Sequence, residues 1–238
     1  MSKTNIQWCD RVWNPVTGCS KISEGCKNCY AEEIFRRFGS KWGYGFNEIA
    51  YHKDRLDQPK SWRKPQRVFV CSMGDLFHED LPERVIETIF WAMASIPQHT
   101  YIILTKRPDR MRKFMFKWVD LNGITPNVWL GVSAENQEQF NRRANVLIAT
   151  PAAKRLVSIE PMLEEIDVSY SEWLLDWVIC GAESGRRART MQHKWAESIQ
   201  KQCQAFGVPF FYKQGPDEEG KLVKMPKLCG RVWDQVPP

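Results

Sequence analysis

The chain has 238 residues, of which 43% are hydrophobic and 26% are charged, and this composition excludes a disordered or fibrous protein. The length suits one large domain with a sizeable core. The first residues lack the apolar stretch of a signal peptide, and no apolar run reaches the length of a membrane span. We therefore expect a cytoplasmic protein that does not contact a membrane.

The net charge is +6, and many of the basic residues lie in two short stretches. Such stretches suit the phosphate backbone of nucleic acids, although a solvated basic face has the same composition. We expect the eight cysteines to be reduced thiols or metal ligands, because disulfides are rare in cytoplasmic proteins. The basic stretches contain Arg107, Arg110, Arg112 and Lys113, and then Arg186, Arg187 and Arg189.

The first motif in the chain is a cysteine loop, residues 19–29, in which Cys19, Cys26 and Cys29 have the spacing C-x6-C-x2-C. Thiolates are the ligands of soft metals and of iron–sulfur clusters. A structural zinc ion normally takes four protein ligands, and no fourth cysteine or histidine follows at the spacing of a zinc finger. Three cysteines indicate a [4Fe–4S] cluster with one open iron, and a zinc site completed by Cys9 is the alternative.

Beyond the cysteine loop, short apolar segments alternate with helical patterns. Apolar segments of this kind are typical of a buried parallel sheet. The glycine-rich residues 39–45 are predicted to be irregular. The predicted strands are 67–72, 100–104, 127–132, 155–159, 177–180 and 208–212, and the predicted helices are 31–38, 83–95, 109–118, 137–148 and 193–206.

The alternation of strands and helices predicts an α/β protein with parallel strands. With the segment before the cysteine loop there are about seven strands, which fits a full or partial (β/α) barrel. An open doubly wound sheet is the structural alternative. We expect a single domain over residues 1–215 and a C-terminal tail of loop over residues 216–238.

Polar residues follow almost every predicted strand at its carboxyl end. In parallel α/β proteins this edge of the sheet builds the active site, so the pattern favours an enzyme. Some of these residues, such as Asp75, have helix capping as an alternative role. The candidates are Ser72, Asp75 and His78, then Thr105, Lys106 and Arg107, then Ser133, Glu135 and Asn136, then Glu160, Glu183 and Ser184, and finally Lys213 and Gln214.

Seven stretches in collinear order resemble a phage- and prophage-borne three-cysteine-motif family of uncharacterised function. Three cysteines in the loop after a first strand also resemble the beginning of the radical S-adenosylmethionine (SAM) superfamily. This second resemblance implies a barrel of the radical SAM type, with a [4Fe–4S] cluster and SAM as cofactors. The seven stretches are WNPVTGCSKISEGCKNCYA, SMGDLFHEDLP, TKRPDRM, WLGVSAENQ, RLVSIEPML, WVICGAESG and GVPFFYKQG.

The resemblance to radical SAM enzymes implies roles for the cysteines and for residues at the ends of two strands. The cysteines would hold the cluster, and its open iron would take the amino and carboxylate groups of SAM. One strand end would meet the SAM amino group and the other the ribose hydroxyls, which a carboxylate can accept as hydrogen-bond donors. The implied residues are Cys19, Cys26 and Cys29 for the cluster, Ser72 and Asp75 for the amino group, and Ser133, Glu135 and Asn136 for the ribose.

The remaining strand-end residues would line the substrate half of the active site. Their charges suggest a polar substrate such as a nucleotide or a nucleic-acid base, and the phage association suggests base modification or repair. An electron donor would have to reduce the cluster. The predicted catalytic residues are Glu160, Glu183, Lys106 and Lys213, and the predicted substrate-binding residues are His78, Arg107, Ser184 and Gln214.

Two other classes of protein remain open from the sequence. A zinc-stabilised nucleic-acid-binding protein would use Cys9 or another residue as its fourth ligand and would not bind SAM. A divalent-metal nuclease would use Asp75, Glu135, Glu160 and Glu183 as metal ligands. Iron with acid-labile sulfide would oppose the first class, and activity in air with magnesium would favour the second.

Overall fold

The computed structural model describes residues 4–39, 43–169 and 174–238. Within these residues the chain forms twelve strands and five α-helices, joined by loops and short 3-10 helices. In chain order they are β1 (Arg11–Trp13), β2 (Val16–Thr17), α1 (Tyr30–Phe38), β3 (Ala50–Tyr51), β4 (Arg67–Val70), α2 (Glu83–Ala94), β5 (Thr100–Thr105), α3 (Pro108–Asn122), β6 (Val128–Ser133), α4 (Gln137–Ile148), β7 (Lys154–Ile159), β8 (Trp177–Gly181), α5 (His193–Phe206), β9 (Phe210–Pro216), β10 (Leu222–Lys224), β11 (Lys227–Leu228) and β12 (Arg231–Val232).

Eight of these strands form one curled sheet in the order β1-β4-β5-β6-β7-β8-β9-β10. Every neighbouring pair is parallel except β9 and β10. The parallel strands follow one another in chain order, whereas a doubly wound sheet reverses its order at a switch point. In the described part of the chain β10 does not pair with β1, so the barrel is partial. The predicted α/β partial barrel is confirmed, and the doubly wound alternative is wrong.

Side chains of the sheet alternate between two cores, because successive residues of a strand point to opposite faces. In β4, Val68 and Val70 belong to the large core that also contains residues of the helices, whereas Phe69 belongs to a smaller core. Trp177 meets the ring of Trp8 edge-on within this smaller core, at 6.1 Å between centroids. The smaller core consists of Trp8, Cys9, Phe69, Ile102, Trp129, Leu156, Trp177, Ile179 and Phe211.

The smaller core fills the inside of the partial barrel near the amino ends of the strands. Trp177 is the first residue of β8, and Trp129 and Phe211 are each the second residue of their strand. Polar residues occupy the later positions on this inner face, such as Ser133 at the end of β6 and Ser158 near the end of β7. The interior is therefore apolar at one end of the barrel and polar at the other, where the strands end.

The C-terminal segment contains strands where a loop was expected, so that prediction is wrong. Strand β10 pairs antiparallel with β9, and the turn between them is closed by the Asp217 amide, which donates to the Lys221 carbonyl oxygen at 2.9 Å. The Tyr212 amide donates to the Trp233 carbonyl oxygen at 2.8 Å, which ties the last residues to β9. The boundary expected at residue 215 falls inside β9.

Other expectations concern local features of the chain. Helices α4 and α5 have the predicted bounds, and the other three differ at their ends by a few residues. Residues 40–42 of the predicted irregular segment 39–45 lie outside the described residues. All eight cysteines are free thiols. None of the helices described is both long and apolar enough to span a membrane.

Candidate active site

A cavity of about 380 Å³ lies at the carboxyl edge of the sheet. Cys19, Cys26 and Cys29 all line it. Thirteen of the sixteen residues to which a role in the site was assigned line this cavity, and His78, Glu135 and Asn136 do not. The thirteen are the three cysteines together with Ser72, Asp75, Lys106, Arg107, Ser133, Glu160, Glu183, Ser184, Lys213 and Gln214.

The backbone fixes each cysteine in a different way. Gly18, at φ +94°, lets the chain turn into the loop, and the Cys19 amide donates to the Phe46 carbonyl oxygen at 2.8 Å. Glycine suits this position because a side chain is strained at positive φ. Cys26 ends a single 3-10 turn, and Cys29 directly precedes α1. The loop therefore presents three thiols from three separate backbone anchors.

Two cations that directly follow β5, Lys106 and Arg107, lie beside two of the thiols. Burial raises the pKa of the Cys19 thiol to about 12, although Arg107 opposes this with an Nη1 atom 3.5 Å from Sγ. Burial also opposes ionisation of Cys26, but Lys106 and hydrogen bonds from the loop outweigh it and lower the pKa of that thiol. Burial raises the pKa of the Cys29 thiol. Of the three thiols, Cys26 therefore most readily loses its proton to form the thiolate that a metal requires.

The three thiols share one cavity, and Cys9 is separate from them. Across the described residues no group of three or more His, Cys, Asp or Glu side chains is arranged to hold one metal ion. Cys9 is buried in the small inner core and is not part of the cavity wall. Within the described residues Cys9 therefore does not complete a four-cysteine site with Cys19, Cys26 and Cys29.

Asp75 and Arg107 form a buried hub between the cysteine loop and two strand ends. The Asp75 carboxylate accepts hydrogen bonds from the Phe77 amide at 2.9 Å, the Thr105 hydroxyl at 2.7 Å and the Lys106 amide at 3.2 Å. It also accepts from Arg107 Nη1 at 3.1 Å. Four donors satisfy the lone pairs of one carboxylate. Asp75 therefore organises the cavity wall, and its contacts are with the protein.

Arg107 extends the hub to the cysteine loop. Its Nη2 donates to the Ser20 hydroxyl at 2.8 Å and its Nε to Glu79 at 2.6 Å. His78 Nε2 lies 2.7 Å from the same hydroxyl, and its Nδ1 accepts from the Asp80 amide at 3.2 Å. Because Nδ1 accepts, the neutral ring donates through Nε2. The structure gives His78 a supporting position behind Ser20, outside the cavity where it was predicted.

Glu135 lies beneath the cysteine loop. Its side chain is 0% exposed, accepts from Arg143 Nη1 at 2.9 Å and has Lys106 Nζ 3.7 Å away. Burial raises the pKa of Glu135, but Lys106, Ser23 and Arg143 outweigh burial and lower it. This carboxylate therefore anchors the loop from below.

Asn136, the neighbour of Glu135, caps a helix. Its side-chain oxygen accepts from the Gln139 amide at 2.9 Å, at the start of α4. Asn136 thus lies outside the cavity where it was predicted, because the amide groups at the start of a helix need acceptors. Only Ser133 of the predicted ribose-binding set lines the cavity.

Glu183 fastens the loop after β8 to the cysteine loop. Its carboxylate accepts from Asn28 Nδ2 at 2.9 Å and from Arg189 Nη2 at 2.6 Å. Arg189 continues to Glu24 Oε1 at 3.2 Å, and Asn28 also donates to the Arg187 carbonyl oxygen at 2.9 Å. Two parts of the chain more than 150 residues apart thus close one side of the cavity.

The four carboxylates considered for a divalent-metal site each have their own cation. Such a site needs carboxylates that converge on one ion. Here each carboxylate pairs with a different cation, so among the described residues these four carboxylates do not converge on one ion. The pairs are Asp75 with Arg107 at 3.1 Å, Glu135 with Arg143 at 2.9 Å, Glu160 with Lys213 at 2.9 Å and Glu183 with Arg189 at 2.6 Å.

Several cavity residues were missed by sequence analysis. The hydroxyl of Tyr30 donates to the Ser72 carbonyl oxygen, and Asn28 bridges two loops. Ser158 donates to Glu160 at 2.9 Å. Tyr30 and Asn28 both lie next to Cys29, so their position in the motif was the available signal. Ser158 lies inside a predicted strand, where nothing in the sequence separates it from a core residue.

Gly25→Ala is expected to destabilise the protein without metal by about 1–3 kcal/mol, because an added methyl group overpacks the site. The new carbon would lie 2.8 Å from the Glu135 carboxylate, which is buried and held by Arg143. Urea unfolding measures the change. Gly39→Ala is the control, since its new carbon meets nothing closer than 3.8 Å. Equal stability of the two variants would contradict the close approach of loop and Glu135.

Comparison with known proteins gives a family and a fold. A model of the DUF5131 family, described as protein of unknown function, matches residues 3–237. No curated protein sequence matches the chain. Among solved structures, a single mutant of spore photoproduct lyase is similar with a TM-score of 0.52 and 10% identity, over 83% of this chain and 73% of that chain.

A double mutant of spore photoproduct lyase with bound AdoMet and dinucleoside spore photoproduct is similar with a TM-score of 0.46 and 13% identity. That likeness covers 80% of this chain and 60% of the other. At these identities the likeness concerns the fold alone. The likeness to the first of these structures, over most of both chains, confirms the predicted α/β partial barrel.

Proposed function

The chain belongs to the DUF5131 family of proteins of unknown function, and from its site we propose that it is a radical SAM enzyme with a polar substrate. The observation that carries the proposal is the position of Cys19, Cys26 and Cys29. All three line one cavity at the carboxyl edge of a partial barrel, where parallel α/β proteins build their active sites. We also propose a cytoplasmic location, in which such thiols stay reduced.

We propose that these three thiols hold a [4Fe–4S] cluster with SAM as its partner. The pair of cofactors supplies the one-electron cleavage of SAM and a carbon radical that can remove hydrogen from a substrate. The electron has to come from an external donor. The hydrogen bond from Arg107 to Cys19 and the charge of Lys106 near Cys26 support this assignment, since nearby cations favour thiolates.

Ser133 is our candidate for contact with the ribose of SAM. It ends β6 and lines the cavity, and no hydrogen bond to its hydroxyl is formed within the described residues. Asp75 has its carboxylate occupied by four protein donors, so we assign it to orienting Lys106 and Arg107. The backbone around Ser72 remains our candidate for the amino group, since Ser72 lines the cavity close to Tyr30.

The substrate half of the cavity is built around Glu160 and Lys213. Their charged atoms are 2.9 Å apart and both line the cavity, so a polar substrate can exchange hydrogen bonds with either member. Gln214 is held by the Ala182 carbonyl oxygen at 2.7 Å, which leaves its own side-chain oxygen as an acceptor. We propose that these residues bind and orient the substrate, whereas Glu183 positions the loop beside them.

The test is SAM cleavage by enzyme whose cluster has been reconstituted without oxygen. With dithionite and SAM, chromatography is expected to detect 5′-deoxyadenosine even without substrate, because the cavity wall is already assembled. The same protein without dithionite provides the control and should leave SAM intact. SAM that stays intact with a fully reduced cluster would overturn the proposed function.

A further inference from the structure

A groove of about 1100 Å³ runs beside the cavity, along α1 and the cysteine loop. It is a continuation of the cavity, since five residues line both spaces. These residues come from the cysteine loop, the start of α1, the segment between α1 and β3 and the loop after β8. An extended ligand in the groove can therefore reach the reacting centre. They are Asn28, Cys29, Tyr30, Phe46 and Ser184.

The groove is basic. Six lysine or arginine residues and three glutamates line it. The glutamates are engaged within the protein: Glu32 pairs with Lys21 at 2.7 Å, and Glu33 pairs with two arginines of α1. Glu48 accepts from the Gly45 amide at 2.8 Å.

Three cations of the groove have no ion-pair partner in the part of the chain that the structure describes. They are Lys27, Arg186 and Arg187, and all three are exposed. The charge available to a ligand is therefore positive. It lies close to the cavity, since Lys27 is directly followed by Asn28 and Arg186 is two residues after Ser184.

Hydrogen bonds fix the loop that carries the two arginines against the cysteine loop. Asn28 Nδ2 donates to the Arg187 carbonyl oxygen at 2.9 Å and to Glu183 at 2.9 Å. Arg189 closes the same loop through Glu183. These bonds fix the backbone on both sides of Arg186. Arg186 and Arg187 therefore belong to a loop that is held in place at the junction of cavity and groove.

We propose that this groove binds the sugar–phosphate backbone of a single-stranded nucleic acid, with one nucleotide entering the cavity. This inference rests on the proposed function, because the nucleotide in the cavity would carry the base that reacts. Arginine matches the geometry of phosphate oxygens. Tyr30, 42% exposed, and Phe46 offer aromatic rings at the junction, where a base can stack.

A base inside a duplex has to leave the stack before it can enter the cavity, which favours an unpaired strand. An acidic protein segment would satisfy the arginines but would make no use of the aromatic rings at the junction. The nucleic acid is therefore the better match to the residues present.

The test is fluorescence anisotropy with a labelled oligothymidylate of about 15 nucleotides, a length that covers one strand-binding site. The reconstituted enzyme is titrated over a series of salt concentrations. In Arg186→Gln/Arg187→Gln we expect the dissociation constant to rise about tenfold or more near 0.1 M salt. The slope of log K against log salt should fall in magnitude by about 1.4, which corresponds to about 0.7 for each lost phosphate contact.

Arg84→Gln/Lys201→Gln is the matched control, since it removes the same charge from exposed positions of α2 and α5 away from the groove and from both basic stretches of the sequence. Its affinity should stay within about twofold of the wild type. Equal loss in both variants, or no loss in either, would overturn the proposal. Tighter binding of labelled oligoglutamate than of the oligonucleotide would overturn the choice of ligand.

The two proposals can fail separately. Strand binding is measured without SAM cleavage, so a protein that binds the strand but leaves SAM intact would refute only the proposed reaction. SAM cleavage that persists in a protein without strand affinity would refute only the groove assignment.

Discussion

Replacing Cys26 by alanine is expected to remove the cluster and abolish SAM cleavage. A [4Fe–4S] cluster with one open iron has three protein thiolates, so each is indispensable. Iron should fall from about four per chain to less than about one, and 5′-deoxyadenosine to the level without enzyme.

Cys229→Ala is the matched control for the cysteine experiment, since Cys229 is exposed and lies far along the chain in the β11–β12 hairpin. It should keep the iron content and activity of the wild type. Cys19→Ala and Cys29→Ala should behave like Cys26→Ala. Wild-type iron in Cys26→Ala would contradict the assignment of the loop, and so would loss of iron in Cys229→Ala.

Asp75→Ala is expected to have the largest effect on stability. It leaves the buried Arg107 guanidinium without one partner and removes the acceptor of Thr105 and Lys106. Removing one member of a buried ion pair costs about 3–5 kcal/mol. For a protein of this size the melting temperature should fall by roughly 10 °C. Thermal and urea unfolding of the protein without metal measure the change.

Asp109→Ala is the control for this experiment. Asp109 is 59% exposed, and its ion pairs with Arg112 and Arg142 are long, at 3.9 and 3.8 Å. Exposed pairs of this kind contribute less than about 1 kcal/mol. If the two variants unfold at the same temperature, the hub at Asp75 does not hold the cavity wall together.

The sequence predicted the backbone of the site better than its side-chain contacts. Five of the six predicted strands end within two residues of the observed ones, because apolar segments and helical periods are local signals. The sixth, β9, ends at Pro216 and not at residue 212, so Lys213 and Gln214 lie inside the strand. The position of the carboxyl edge then follows from the parallel sheet. Thirteen predicted residues line the cavity for that reason. The loop spacing alone indicated that Cys19, Cys26 and Cys29 would lie together.

The direction in which individual side chains point could not be predicted from the sequence, because it depends on partners that are distant along the chain. Glu135 follows Ser133 by two residues, yet it turns beneath Gly25 toward Arg143. In the sequence nothing indicates a partner for the Glu183 carboxylate, whereas in the structure Arg189 donates a hydrogen bond to it. In a sequence, a glutamate that supports a loop cannot be told from a glutamate that binds substrate. The two roles are distinguished only when the structure shows which cation lies beside the carboxylate.

The C-terminal strands were missed for a related reason. Strand β10 is only three residues long, and it forms because β9 offers an open edge. Short edge strands have weak local signals, since their pairing depends on the neighbouring strand. The turn residues between Asp217 and Lys221 were interpreted as loop, although the same residues close a hairpin.

The most direct test of the central claim is the metal content of wild-type protein purified without oxygen, with iron, acid-labile sulfide and zinc measured on one sample. We expect about four irons and four sulfides per chain after reconstitution, with zinc well below one. Stoichiometric zinc that resists replacement, with no iron or sulfide, would contradict the account. The three thiols would then belong to a zinc site, and the proposed radical chemistry would be wrong.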